Sequence, residues 1–382
     1  MSSNLYLTVQ NFVKRKSIEL LDNSELKWIW QHLDLNYTPP LTDEDKMINY
    51  KSFKIVGATC TPKAREFFTA STFAKFQQRD SYGRISITLF FNYIMRKTWL
   101  RQSRIGLSLY DLTGQGFLTE SDLELYITEL FPSLPHLQKL EKSLHSFYVC
   151  TAVRRFMFFL DPKRLGKVKI IDILASGFLD DLLELSFLGQ KADKLEQNWF
   201  SVANTLRVYG QYVNLDTDRN GMLSKNELKQ YGSRTLTDVF IDRVFQECLT
   251  YEGEMDYKAF LDFVLAMENK NDPSSLQYFL RILDVRQLGY LDAFAINYFF
   301  RSIRKALEEQ DQPPVSFEDI KDEIFDMVKP ENQLRITLKD LTKSQQGGTI
   351  VGILIDINGF WTYENRECLA TESQKDEEAD LL

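Results

Sequence analysis

Apolar residues along the chain repeat at helical spacing just before a series of turns. In four segments two apolar residues stand three positions apart, which places both on one face of a helix entering the turn. These pairs are Leu107 and Tyr110, Met157 and Leu160, Tyr212 and Leu215, and Leu280 and Leu283. The pattern predicts an all-α protein made of helix–turn–helix repeats.

The turns themselves also repeat, because a glycine is followed two residues later by an apolar residue. The instances are Gly83/Ile85, Gly116/Leu118, Gly166/Val168, Gly221/Leu223, Gly253/Met255 and Gly289/Leu291, with Leu334/Ile336 as a seventh turn that lacks the glycine. An EF-hand loop needs a glycine at position six, and its apolar position eight pairs with a neighbouring loop in a short β-bridge. A generic helical bundle with glycine turns is the alternative, but it does not require recurring flanks.

The sequence therefore predicts EF-hand-type helix–loop–helix repeats in two lobes, with short β-bridges between paired loops. Loop spacing indicates the pairs. They are Gly83 with Gly116 at 33 residues, Gly221 with Gly253 at 32, and Gly289 with Leu334 at 45. The partner of the Gly166 loop stays open.

Breaks in the helical pattern predict the domain organisation. A polar stretch separates the lobes, and Pro39 and Pro40 interrupt the first segment. We expect an N-terminal helical segment with a proline-containing break at 1–60, a first EF-hand-like lobe at 61–188, a hinge at 189–199, a second lobe at 200–345, a C-terminal aromatic segment at 346–370 and a disordered acidic tail at 371–382. In the aromatic segment, Phe360, Trp361 and Tyr363 are interpreted as an anchor that closes the second lobe, with a partner-binding strip as the alternative.

One loop of the second lobe, DTDRNGMLSKNE at 216–227, matches the calcium-loop pattern at every ligand position. The candidate ligands are Asp216, Asp218, Asn220, Met222 through its backbone carbonyl, Ser224 directly or through water, and Glu227 through both carboxylate oxygens. A hard cation with six to eight oxygen ligands needs this mixture of carboxylate, amide and carbonyl groups. We therefore predict one Ca²⁺ site here; a polar surface turn is the alternative.

A weaker second site is predicted in the loop DLTGQGFLTESD, which begins at residue 111. Its candidate ligands are Asp111, Thr113, Gln115, Phe117 and Asp122. Only two acids remain, and an aspartate at position twelve binds less readily through both oxygens than a glutamate. The loops that begin at Asp161 and Asp284 place cationic or apolar residues at ligand positions, and those around Gly83 and Gly253 lack the first acid. We interpret these four as scaffolding without metal.

Composition excludes several other classes of function. The 46 Lys and Arg against 54 Asp and Glu give a formal charge of −8, which does not favour a nucleic-acid binder. Three scattered histidines and four cysteines without a CxxC pair provide neither a zinc site nor a recognisable catalytic constellation. No apolar run approaches the ~18 residues of a membrane helix. We therefore predict a protein that is not an enzyme and does not insert into membranes.

Several long segments resemble the B-double-prime regulatory subunits of protein phosphatase 2A, most of all the gamma-type branch, and are also similar to plant TONNEAU2-like proteins. They are FFTASTFAKFQQRDSYGRISITLFF (67–91), ELFPSLPHLQKL (129–140), FYVCTAVRRFMFFLDPKRLGKVKIIDIL (147–174), YEGEMDYKAFLDFVLAMENK (251–270) and LIDINGFWTYENRE (354–367). The resemblance covers residues from about 60 to 367.

This resemblance implies a calcium-binding regulatory subunit. Such a subunit docks on the scaffold and catalytic subunits of the phosphatase and directs substrate choice or location. It also implies phosphoprotein substrates or cytoskeletal proteins as partners, and a location in the cytoplasm and nucleus and at the centrosome. Two alternatives are a phosphatase-independent EF-hand calcium sensor and a cytoskeletal or centrosomal scaffold. A sensor would use several good loops and a methionine-rich groove, whereas this chain has one good loop and eight methionines.

Overall fold

The computed structural model describes residues 20–40, 46–77, 82–134, 137–138, 140–184, 198–309, 311–313 and 315–366. It divides into two compact units. The described residues of Met1–Tyr126 and Lys169–Leu179 form the first unit, and those of Ile127–Val168 and Asp180–Leu382 form the second. Among the described helices, none combines the length and the apolar character needed to cross a bilayer.

Helices dominate the described residues, and the strands are only two or three residues long. The helices are α1 (Asn23–Leu35), α2 (Tyr50–Thr59), α3 (Pro62–Arg65), α4 (Ala70–Lys75), α5 (Ile87–Ser108), α6 (Glu120–Leu130), α7 (His145–Leu160), α8 (Ile170–Ala175), α9 (Phe178–Glu184), α10 (Val202–Leu215), α11 (Lys225–Leu228), α12 (Asp238–Glu247), α13 (Tyr257–Glu268), α14 (Pro273–Leu283), α15 (Ala293–Glu309), α16 (Phe317–Val328), α17 (Leu338–Ser344), α18 (Gly347–Ile355) and α19 (Ile357–Glu364). The strands are β1 (Met47–Asn49), β2 (Arg84–Ser86), β3 (Phe117–Thr119), β4 (Lys167–Lys169), β5 (Tyr290–Leu291) and β6 (Ile336–Thr337).

An aromatic cluster forms the core of the first unit. The ring of Phe53 in α2 lies 4.9 Å from Phe68, 5.1 Å from Phe73 and 5.0 Å from Phe90, centroid to centroid. Tilted and edge-on ring pairs at these distances stabilise beyond the apolar area that they bury. The abundant phenylalanines of the sequence therefore hold its helices together.

The core of the second unit is built around α13. This helix is apolar on nearly every side, as expected of a helix enclosed by others, and it packs against α7, α10 and α14. Asp256 caps its start by accepting the backbone N–H of Ala259 at 2.8 Å. Phe260 and Phe263 are fully buried. Because α10 packs on α13, the position of the loop that follows α10 is set by this core.

The predicted β-bridges between loops are present. Leu223 pairs with Met255, and β5 pairs with β6 through Leu291 and Ile336. All four of these side chains are buried. The Gly221/Gly253 and Gly289/Leu334 pairs are therefore confirmed.

The expected pairing of the Gly83 and Gly116 loops is wrong. Strand β2, which follows Gly83, pairs with β1 and brings Ile85 opposite Ile48. The segment of β1 contains no glycine, so a pattern based on glycine could not include it. The Gly116 carbonyl instead accepts the backbone N–H of Ile170 at 2.9 Å.

The two compact units divide the chain differently from the predicted lobes. Residues 127–168, which the sequence pattern assigns to the first lobe, belong to the second unit because α7 packs against α10 and α13. Residues 189–197 of the predicted hinge and the whole predicted tail at 371–382 lie outside the described residues, so both stay predictions. In the C-terminal segment, Phe360 is buried with its ring 5.8 Å from that of Phe300, whereas Trp361 is 45% exposed.

Candidate metal centre

The twelve-residue loop 216–227 begins directly after α10 and ends within α11. Asp216 directly follows the last residue of α10 and accepts the backbone N–H groups of Asn220 at 3.1 Å and Gly221 at 3.0 Å. Gly221 has a φ of 82°, a backbone conformation that favours glycine, so position six makes the sharp turn that the pattern predicts. The Tyr212 hydroxyl donates to the Gly221 carbonyl at 2.7 Å and fastens this turn to α10.

Three carboxylates converge inside this loop. Asp216, Asp218 and Glu227 each offer an oxygen, and these atoms lie within 4.8 Å of one another. In the part of the chain that the structure describes, no other three His, Cys, Asp or Glu residues meet in this way. Three negative charges at this separation repel one another, and a divalent cation offsets the repulsion. The acidic cluster therefore has the donor chemistry of a site for a hard cation.

Glu227 is held in place by neighbouring donors. Its Oε1 accepts the backbone N–H and hydroxyl of Thr217 at 2.7 and 2.8 Å, and its Oε2 accepts those of Ser224 at 2.9 and 2.8 Å. Burial raises the pKa of this carboxyl, but the bonds from Ser224 and Thr217 outweigh burial and lower it from 4.5 to about 2. Glu227 is thus ionised and oriented before any ion arrives.

This depressed pKa predicts an acid-dependent loss of stability. Because the folded-state pKa of Glu227 is below its usual value, its contribution is complete above about pH 4.5 and is lost as pH falls toward about 2. We expect the free energy of unfolding in EDTA to fall more steeply across this window for wild type than for Glu227→Gln. Urea unfolding at a series of pH values measures the difference. Parallel pH curves for the two proteins would contradict the assignment.

The other predicted ligands are also in this loop. Asn220 accepts the backbone N–H of Met222 through Oδ1 at 2.7 Å. Ser224 is the N-cap of α11 and forms a reciprocal capping box with Glu227. The predicted side-chain ligands at positions one, three, five, nine and twelve therefore all belong to the segment that begins after α10 and ends within α11. The metal-ligand role of each of them, and of the Met222 carbonyl, stays a prediction.

The loop at Asp111 has a different arrangement. Asp111 is buried and accepts backbone N–H groups from Thr113 and Gln115 at 3.2 and 3.3 Å and from Gly116, as well as the Thr113 hydroxyl at 2.9 Å. Burial raises its pKa, but these bonds lower it overall. Asp122 accepts the backbone N–H and hydroxyl of Thr119 at 2.8 and 2.7 Å. Phe117 opens β3. Among the described residues no three His, Cys, Asp or Glu residues converge in this loop, and its occupancy by a metal stays a prediction.

Sequence reasoning missed three residues that support the 216–227 loop, one inside it and two outside it. Thr217 donates to Glu227, Tyr212 donates to the Gly221 carbonyl, and Glu254 accepts from the side chain of Asn220. Thr217 stands at loop position two, which is not a ligand position, and the other two lie outside the twelve-residue pattern. The spacing of Leu223 and Met255 was the only signal that could have placed Glu254 near the loop.

The two described histidines contact backbone carbonyl groups. His32 Nδ1 lies 2.9 Å from the Trp28 carbonyl oxygen, and His145 Nε2 lies 3.2 Å from that of Leu140. Neither of them belongs to the acidic cluster, which agrees with a site built from oxygen ligands rather than from imidazole.

Comparison with known proteins identifies the family. No protein-family model matches the chain. Over 370 residues, the chain is 61% identical to a human protein named as the gamma form of the B'' regulatory subunits of serine/threonine-protein phosphatase 2A, and the match covers 97% of this chain and 82% of the human one. It is 39% identical to an Arabidopsis thaliana protein, TON2, named as a probable B'' regulatory subunit of the same phosphatase, over 96% of this chain and 79% of that one.

A solved structure points to the same family. A chain of the PP2A PR70 holoenzyme, in a form described as diCa, matches with a TM-score of 0.58 and 26% identity, over 63% of this chain and 91% of that chain. The predicted all-α fold with EF-hand-type repeats is thereby confirmed, and so is the resemblance drawn from the sequence. On its fold and its identity over nearly the whole length, the chain belongs to the B'' family of protein phosphatase 2A regulatory subunits.

Proposed function

We propose that this chain is a non-catalytic, calcium-binding regulatory subunit of protein phosphatase 2A. In this role it docks on the scaffold and catalytic subunits and directs the phosphatase to its substrates, which are phosphoproteins or cytoskeletal proteins. Family membership supports the regulatory role. The single observation that carries the calcium assignment is the convergence of Asp216, Asp218 and Glu227 within 4.8 Å in a twelve-residue loop. A location in the cytoplasm and nucleus and at the centrosome is part of this proposal.

The donor set selects calcium over softer or smaller ions. The loop offers carboxylate, amide and hydroxyl oxygens but neither imidazole nor thiolate, which argues against zinc and copper. Glu227 can supply two oxygens at once, and such bidentate binding suits the larger, more flexible coordination shell of Ca²⁺ better than the octahedron of Mg²⁺. The affinity expected for this charge count is in the sensor range, on the order of 10⁻⁷ to 10⁻⁵ M.

Co-purification from cell extract tests the regulatory role. We expect the tagged chain to recover the scaffold and catalytic subunits, both in calcium and in EDTA. Recovery by the Glu227→Gln variant under the same conditions measures how much the metal contributes. Failure to recover either of them under stringent washing would overturn the proposal. That result would favour a phosphatase-independent sensor or a cytoskeletal scaffold.

Activity measurements test the non-catalytic part. The purified chain alone is expected to release no phosphate from a phosphopeptide, because the three-acid cluster found among the described residues contains no histidine and the human relative is named as a regulatory subunit. The phosphatase's catalytic subunit, assayed under the same conditions, is the positive control. Turnover that persists after trace phosphatase has been removed would contradict this part of the proposal.

A further inference from the structure

Glu254 lies outside the 216–227 loop but contacts one of its predicted ligands. Asn220 donates from Nδ2 to the two carboxylate oxygens of Glu254 at 3.1 and 3.3 Å. The same nitrogen donates to Asp218 Oδ2 at 3.3 Å. Asn220 stands at loop position five, where an EF-hand uses the side-chain oxygen as a metal ligand.

The backbone sets the position of Glu254. Leu223 and Met255 exchange two hydrogen bonds of 2.8 Å between the neighbouring loops, and Glu254 directly precedes Met255. Tyr251 and Glu254 exchange two more, at 2.8 and 3.0 Å, which close a hairpin through Gly253 at a φ of 88°. These bonds hold the backbone of Glu254 beside the 216–227 loop, within reach of Asn220.

The contact bears on the orientation of the Asn220 amide. An asparagine amide has a donor end and an acceptor end of nearly equal size, so its orientation depends on its neighbours. Here the NH₂ end lies between the carboxylates of Asp218 and Glu254. The reversed amide would place its oxygen against both negative charges, which is unfavourable. The Oδ1 atom is therefore directed to the other side, where it accepts the Met222 N–H.

We propose that Glu254 is a positioning residue for the candidate calcium site, which orients Asn220 so that Oδ1 serves as a ligand. Groups that hydrogen-bond a metal ligand commonly fix its orientation and raise affinity. The Gly253 loop, which lacks ligands of its own, thereby takes part in binding through its neighbour. This inference rests on the proposed calcium binding by the 216–227 loop.

Three variants of the chain distinguish an effect of Glu254 on the orientation of Asn220 from an effect of its negative charge. Glu254→Ala removes both the hydrogen-bond acceptor and the charge. Glu254→Gln removes the charge but keeps an oxygen that can accept from Asn220. Glu252→Ala is the matched control, because it removes the same charge from the same hairpin and Glu252 makes no hydrogen bond to the calcium loop among the described residues. Equal thermal midpoints of the three metal-free proteins would show that each is folded.

Calcium titration calorimetry and terbium luminescence give independent readouts. We expect Glu254→Ala to raise the Kd for Ca²⁺ by about 3- to 10-fold, the equivalent of one net hydrogen bond, and Glu252→Ala to change it by less than about 2-fold. Terbium takes the place of calcium in the loop, and its luminescence is excited through Tyr212. The difference between its luminescence lifetimes in H₂O and in D₂O gives the number of water molecules bound to the ion. Glu254→Ala should gain about one water in place of the Asn220 oxygen, whereas Glu254→Gln should keep the wild-type number.

Each outcome separates this inference from the function on which it rests. If wild type binds neither ion, the proposed calcium binding is overturned and this inference with it. If wild type binds but Glu254→Ala matches Glu252→Ala in affinity and water number, only the positioning role is overturned. A gain of water in Glu254→Gln equal to that in Glu254→Ala would also overturn it, because charge and not the hydrogen bond would then hold Asn220.

Discussion

Glu227→Gln is expected to abolish most calcium-dependent stabilisation of the second unit. At about a hundredfold excess of Ca²⁺ over the dissociation constant, binding to the folded form alone adds ~2.7 kcal/mol to the free energy of unfolding. The substitution removes one of three charges and the oxygen pair that completes the shell. Glutamine keeps one acceptor oxygen, which can accept either the Ser224 donors or the Thr217 donors but not both. With the oxygen toward Ser224 the capping box of α11 is kept, so the helices on either side should stay intact. Calorimetric titration measures the loss of calcium binding, and urea unfolding with and without calcium measures the loss of stabilisation.

The matched control for this prediction is Asp111→Asn. It removes a carboxylate from the other acidic loop and keeps one oxygen, which can still accept the backbone N–H groups of Thr113 and Gln115. We expect its calcium-binding heat to equal that of wild type. If Asp111→Asn loses that heat and Glu227→Gln keeps it, the ion binds in the loop that begins at Asp111, and the prediction is wrong.

Arg154→Ala is expected to destabilise the second unit by about 3–5 kcal/mol, the usual cost of removing one partner of a buried ion pair and leaving the other charge buried without it. Arg154 in α7 binds Asp262 of α13 through Nε at 3.0 Å and through Nη2 at 2.7 and 2.8 Å. Asp262 is only 5% exposed. Its remaining cationic contact is Arg164, whose Nη2 is 3.3 Å away and whose side chain is 40% exposed. Urea unfolding followed by circular dichroism measures the loss.

An exposed ion pair on α13 provides the control. Arg207 of α10 contacts Glu268 of α13 at 2.6 Å, and their side chains are 41% and 31% exposed. Arg207→Ala should cost less than about 1 kcal/mol, because water screens this pair. The double variant Arg154→Met with Asp262→Leu should recover most of the stability, since no charge is then buried alone. Equal costs for Arg154→Ala and Arg207→Ala would contradict the role given to burial.

The core of the second unit could be anticipated only in part. Helical spacing placed Tyr212 and Leu215 on an apolar face, and both are buried in α10. Burial of Asp262 could not be anticipated, because its partner Arg154 is 108 residues away in sequence. Local pattern carries no information about such a distant pair.

Within the site, the sequence determined the residues that depend on local geometry. Asp216, Gly221 and Glu227 follow a twelve-residue pattern whose spacing is set by the turn itself, so the loop was predictable from its own letters. The apolar residues two positions after each glycine were likewise predictable as buried bridge residues. Loop spacing also predicted two of the loop pairs, but tertiary structure decided the partner of the Gly83 loop. The Gly83 loop pairs with β1, and Arg84 strengthens this pairing by donating to the carbonyls of Thr38 and Pro40, which precede β1, at 2.9 and 2.7 Å.

The same distinction separates the predicted ligands from the residues that support them. Ligand types follow from the chemistry of a hard cation and can be recognised along the chain. Glu254 was not recognisable, since its proposed role depends on the bridge between Leu223 and Met255, which joins two separate loops of the chain. Local spacing therefore determined which atoms can bind an ion, whereas packing between distant helices decided which side chains hold those atoms in place.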